Sequence, residues 1–185
     1  METLWLGQDR SNTQTILTIY SVQNRKYTHW ENGSIVLIRL DEEDWKLAHC
    51  KDDPVRPHLP LAWRTQQGRE VWGLENSTGE IQAVICVAYT NDVPITEHEL
   101  DLYSQAASQD GQHGSIAVFY TVWSYARGAG RQMVLEASKA IKQSRPVTRF
   151  VTLSPLTEMA ERFHLRNGAQ LIARGTECQN FEYTI

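Results

Sequence analysis

Apolar positions along this chain follow two periods. Runs rich in β-branched and aromatic residues occupy positions 15–20 (TILTIY), 34–40 (SIVLIRL), 69–75, 81–89 and 115–123 (SIAVFYTVW). Runs of this composition and length predict β-strands. The last is a long apolar run, as expected of a strand covered on both faces. Asn-Ser-Thr-Gly at 76–79 joins two of them and predicts a hairpin. Helical spacing governs 95–108 (ITEHELDLYSQAAS) and the segment after residue 123. There Met133, Val134, Ala137, Ala140 and Ile141 recur at three- and four-residue intervals, opposite Arg131, Glu136, Lys139 and Lys142. Acidic residues open a short helix predicted over 41–49.

Breakers divide these runs. DDPVRPHLPLAW (52–63) carries three prolines and predicts a loop that covers a site. QDGQHG (109–114) predicts a polar loop. A strand is expected over 150–153, after Pro146. Ser154-Pro155 reads as a helix start, with Ser154 as N-cap and proline in the first turn. The helix, over 157–166, is expected to turn Met159, Ala160 and Phe163 inward, and Asn167-Gly168 closes it as a left-handed cap. Strands at 169–173 and 181–185 follow. This order predicts an α/β (α+β) fold with a mixed, mostly antiparallel sheet flanked by helices. A single domain over 1–185 is expected, with 1–68 its least legible part.

The 185 residues are 41% apolar and 22% charged, which excludes wholesale disorder. A formal net charge of −4 opposes a nucleic-acid partner. Cys50, Cys86 and Cys178 are odd in number and far apart, so neither a disulfide framework nor a metal site is expected. No basic leader precedes an apolar run, and no run approaches the roughly eighteen apolar residues of a membrane span. The expectation is a cytoplasmic protein without a membrane partner, in which the sequons at Asn32 and Asn76 are incidental. Six tryptophans suit either core packing or the lining of a pocket.

Two constellations carry chemistry. Arg127-Gly128-Ala129-Gly130-Arg131 sits at a strand-to-helix junction. Glycines admit a close ligand, and free amides with the helix dipole and two arginines suit a pyrophosphate. The same residues also suit a plain tight turn before a surface helix. The second constellation is Ser154 with His164, ten residues on. If the helix face bearing Thr157, Ala160 and His164 looks back across the strand end, the two converge. An imidazole can then move a proton near neutral pH. A capping serine and a half-buried structural histidine are the alternatives.

From 119 to 185 the chain resembles the core of the GNAT superfamily, the acyl-CoA-using N-acetyltransferases. Their signature, a strand followed by [QR]-x-x-G-x-[GA] and a helix, meets Arg127-Gly128-Ala129-Gly130-Arg131-Gln132 here. Arg127 and Gly130 match and Gln132 departs. Ala160-x-x-Phe163-His164-x-x-x-Gly168 is similar to the family's A-x-x-F-Y-x-x-x-G, with His164 where a tyrosine serves as acid for the departing thiolate. TLSP (152–155), FHLRNGA (163–169) and FYTVW (119–123) resemble a narrower branch, the malonyl-CoA decarboxylases, whose Ser and His form the catalytic pair.

The resemblance implies a GNAT-like fold with an acyl-CoA-binding core over 115–185. It implies acetyl-CoA or another acyl-CoA as substrate, and no metal. Cofactor contacts fall to Val122, Arg127, Gly128, Ala129, Gly130, Arg131 and Gln132, and catalysis to His164 and Ser154. Three functions follow. The first is an acyl-CoA-dependent N-acyltransferase with an amine or carrier acceptor. Its base would come from Glu97, Glu99 or Asp101, and an imidazolium would protonate the thiolate. The second is a malonyl-CoA-type decarboxylase using Ser154 and His164. The separate helical domain of those enzymes has no counterpart in these 185 residues. The third is a non-catalytic CoA-binding or interaction module, which Gln132 favours. A homodimer is compatible with each.

Overall fold

A computed structural model describes residues 35–109 and 114–185. The strand expected at 15–20, the Asn32 sequon and positions 110–113 of the polar loop lie outside them.

The sheet grows from the hairpin. Strands β2 (Arg69–Glu75) and β3 (Ile81–Thr90) pair antiparallel. Gly79 turns between them at φ 85°, a value that glycine reaches without the Cβ clash other residues meet. Strand β1 (Val36–Leu40) adds antiparallel to β2, and β4 (Ile116–Ser124) to the other edge of β3. Helix α3 (Ala129–Ser144) then crosses over, so β5 (Arg149–Thr152) joins β4 in parallel. Strand β8 (Cys178–Tyr183) is antiparallel to β5, and β7 (Ala169–Arg174) lies on its far side. The described residues thus form one mixed, mostly antiparallel sheet.

Strand alternation sends neighbouring residues to opposite faces. Ile85, Val87, Phe119 and Phe181 pack with Met133 and Ala137 of α3. Val84, Cys86, Val118 and Leu153 pack on the other face with Leu100 of α2 (Glu97–Gln109). The long apolar run of β4 is buried on both sides from Ile116 to Thr121, as its composition predicts.

Three local expectations are corrected. The short helix expected at 41–49 is a 3-10 helix over Trp45–Asp52, because the carboxylate of Asp44 caps it by accepting from the Lys46 amide at 3.0 Å. The proline-rich loop ends early: Leu61–Thr65 forms a short helix, α1, immediately after Pro60. All three prolines precede its first turn, so no helical hydrogen bond is lost. Ser154 does not cap a helix. Ser154–Pro155 stays extended as β6, pairing Ser154 with Gln179 and Pro155 with Cys178 of β8. Helix α4 (Glu158–Arg166) starts later, with the Thr157 hydroxyl accepting from the Ala160 amide. Its buried residue is His164, whereas Met159 is 78% exposed. Asn167-Gly168 ends α4 as expected, with Gly168 at φ 87°.

One irregularity positions everything that follows. Strands β4 and β5 pair only from Ile116↔Arg149 to Phe119↔Thr152. Beside the last pair, β4 carries a bulge against β3 that leaves Tyr120 as the extra residue. Beyond it β4 runs on to Ser124 while β5 bends at Leu153 into β6. The strands part, and α3 and α4 start on either side of the opening.

Candidate active site

The first wall of the site is the start of α3. Gly128 sits at φ 84°, where a Cβ would be strained although no atom lies within 4 Å of it. No side chain caps this helix end, and the Gly130 and Arg131 amides carry no hydrogen bond among the described residues. Gly130 has a second reason to be small. A Cβ there would lie 3.4 Å from Ser124 Oγ and 3.5 Å from the Phe163 ring. The second wall is α4. Between them lies a cleft of about 690 Å³ lined by Arg127, Gly130, Arg131, Arg162, Phe163 and Arg166, among others. Glu158 pairs with Arg162 there. Free amides and four guanidinium groups, that of Arg162 paired with Glu158, give this cleft a basic lining of the kind that suits anionic oxygens.

Of the sequence candidates, Arg127, Gly128, Gly130 and Arg131 line this cleft, whereas Val122, Ala129 and Gln132 do not. Ala129 is buried, with its amide bonded to the Ala126 carbonyl, and Val122 packs against the α3-face core. Arg162 and Arg166 escaped the sequence reading. One turn apart on α4, they carry a signal only once the face of α4 toward α3 is known.

Ser154 and His164 do converge. Ser154 Oγ lies 2.8 Å from His164 Nε2, and the two residues are 4% and 5% exposed. The bend into β6 projects Ser154 toward the α3–α4 face, while Leu153 before it points into the opposite core. The Tyr183 hydroxyl is 2.8 Å from His164 Nδ1, so both ring nitrogens are bonded. Phe181 stacks on the ring at 5.0 Å, and Phe163 meets it edge-on at 5.1 Å. Ser154 Oγ also donates to Thr152 Oγ1 at 3.0 Å, which accepts from the Phe181 amide. Burial lowers the His164 pKa to about 4 and pushes the Tyr183 hydroxyl up. His164 is therefore neutral at pH 7, not the imidazolium expected above. Neither Ser154 nor His164 lines the cleft, and Phe163 stands between them and it. Tyr183 and Thr152 complete the cluster through strand register, which no local motif announces.

The three acidic candidates are engaged in other ways. Glu99 accepts from the Ile95 amide at 2.7 Å, next to its own helix start. Asp101 accepts from Arg69 Nη1 at 2.8 Å and Trp63 Nε1 at 2.9 Å. Glu97 lies 2.8 Å from Arg56 Nε and 2.9 Å from His58 Nε2. Arg56 comes from the proline-rich loop, which lies against the parting of β4 and β5. Its guanidinium donates to the carbonyls of Tyr120 and Leu153, the latter at 3.1 Å.

A parallel β4–α3–β5 crossover with a bulged, parting β4 and an open helix start decides the architecture. This chain has the GNAT fold. Solved structures carry the likeness over most of its length. The GNAT domain of S. lividans PAT superposes with a TM-score of 0.56 at 13% identity, covering 89% of this chain and 98% of that one. Arabidopsis thaliana NAA60 in complex with acetyl-CoA gives 0.55 at 11% identity, covering 80% and 97%. Malonyl-CoA decarboxylase from Agrobacterium vitis gives 0.55 at 17% identity, covering 70% of this chain but only 35% of its own. The GNAT-fold chain here therefore spans about a third of the decarboxylase it matches. No family model and no curated protein matches this sequence.

Proposed function

We propose that this chain is an acyl-CoA enzyme that decarboxylates a malonyl-type thioester, with Ser154 and His164 as its chemical pair. The observation that carries this reading is the buried 2.8 Å contact between Ser154 Oγ and His164 Nε2. The diphosphate of the CoA moiety is assigned to the open amides of α3 with Arg127 and Arg131. Its acyl end passes Phe163, which turns aside to admit it. When the C–C bond to the carboxylate breaks, CO₂ leaves and the electron pair becomes a thioester enolate. Donors aimed at that charge in a dry pocket supply the acceleration. A neutral imidazole suits this role, because it donates without bringing a buried charge of its own. Ser154 gives its proton to the α-carbon, His164 Nε2–H returns a proton to the serine oxygen, and a proton from solvent water restores the neutral ring, so the net reaction takes up one proton. Tyr183 fixes the ring from its other nitrogen.

Acyl transfer to an amine is the second reading, supported by the near-complete overlap with acetyltransferase domains. Its three candidate bases are engaged: Glu99 and Asp101 by structural partners, and Glu97 by Arg56 and His58.

Incubating the protein with malonyl-CoA and no acceptor tests the choice by mass spectrometry. The expected result is acetyl-CoA and CO₂. Ser154→Ala and His164→Ala should each lower turnover on the order of 10²–10⁴-fold, with CoA affinity retained. Consumption of acetyl-CoA only when amines are added would replace decarboxylation with transfer. A melting temperature raised by CoA without turnover of any acyl-CoA would leave the binding-module reading.

A further inference from the structure

Arg56 is an enclosed charge beside the proposed site, at 1% exposed. The proline-rich loop delivers it. Asp53 accepts from the amides of Val55 at 2.8 Å and Arg56 at 2.9 Å, and from Arg64 Nη1 at 2.8 Å. This fixes the loop before Arg56 extends inward. The guanidinium then binds Tyr120 O, at the β4 bulge, and Leu153 O, at the β5 bend. Those two residues immediately follow the last β4–β5 pair, Phe119↔Thr152. Glu97 lies 2.8 Å from Nε as an ion pair, although the angle gives Nε no hydrogen bond.

The opening between the strands therefore has different ends. On the α3–α4 face it meets Ser154 and His164, with Phe163 between them and the arginine-lined cleft. On the α2 face lies a second cleft of about 500 Å³, whose walls include Arg56, Glu97, His98, Pro155 and Glu177. Pro155 directly follows Ser154, so this second cleft reaches the bend that carries the serine. Arg56 forms part of its wall.

We propose that Arg56 seals the parting of β4 and β5 from the α2 face and so keeps a second substrate away from the thioester. This inference rests on the decarboxylase reading and deepens it: the site handles one substrate, admitted from one face. Opening the seal gives an amine a route. Its nitrogen bonds to the thioester carbonyl carbon, the C–S bond breaks, and the proton shed by nitrogen ends on the CoA sulfur.

The test uses the full chain with acetyl-CoA and n-butylamine, following CoA thiol release and N-butylacetamide. Unaltered protein should give no amide above the uncatalysed rate. Arg56→Ala should raise amide formation at least tenfold while CoA affinity by calorimetry stays within about twofold. Arg56→Lys, which keeps a cation but reaches one carbonyl at a time, serves if the alanine variant does not fold, and should show a smaller gain. The seal is overturned if folded Arg56 variants bind CoA normally yet form no more amide than the unaltered protein. It is equally overturned if the unaltered protein already forms amide as fast as they do. Failure of the unaltered protein to bind CoA is a separate result, which removes the acyl-CoA reading and the seal with it.

Discussion

His164 is surrounded by Phe163, Phe181, Ser154 and Tyr183, and no carboxylate touches it. Burial alone accounts for its pKa of about 4. An unfolded histidine titrates near 6.5. Between these values the unfolded chain binds more protons than the folded one, so stability falls as pH drops from 6.5 to 4. The loss over that window is up to about 3 kcal/mol. Urea melts from pH 7 to 4 should show this slope, and His164→Gln should flatten it. Tyr183→Phe keeps the ring packing and deletes one hydrogen bond. Turnover should fall on the order of tenfold while CoA affinity stays constant, as paired kinetics and calorimetry would show. The Ser154–His164 pair was legible in sequence because two short motifs carry it. Tyr183 was not, because its place beside His164 depends on the pairing of β8 with β5, which exists only in three dimensions.

Helix starts are where local reading served both well and badly. At α3 the glycines and arginines announced an open N-terminus, and the amides are indeed uncapped by side chains. Arg127→Ala and Arg131→Ala should each weaken CoA binding severalfold, more at low salt than at high, since charge-assisted contacts are screened. Calorimetry at two ionic strengths would check this. Gly128→Ala should lower stability by about 1 kcal/mol, through strain rather than contact. At α4 the sequence Ser-Pro satisfied the statistics of a helix start and misled. Pairing across to Gln179 holds those two residues extended, so tertiary structure overrode a local preference. Met159 was misplaced for a related reason. With the helix starting at Glu158, the face toward the core is set by His164, and Met159 turns to solvent beside the cleft.

Across the whole molecule, the least readable segment proved decisive. The prolines of 52–63 signalled a loop, yet nothing local indicated that Asp53, Arg56 and Arg64 would be buried together. The Asp53–Arg64 pair is fully enclosed at 2.8 Å, with Arg64 also bonded to the Arg56 carbonyl. Asp53→Ala leaves that guanidinium uncompensated and releases the loop. A loss of about 3–5 kcal/mol is expected, lowering the melting temperature on the order of 10 °C in a calorimetric scan.

Strand β8 has a consequence for biosynthesis. It supplies Phe181 and Tyr183 to the imidazole and receives β6 along its edge. The residues lining the arginine-rich cleft end at Asn167, whereas Phe181 and Tyr183, which frame the imidazole, are synthesised later. The Ser154–His164 contact is therefore framed only when β8 has joined the sheet.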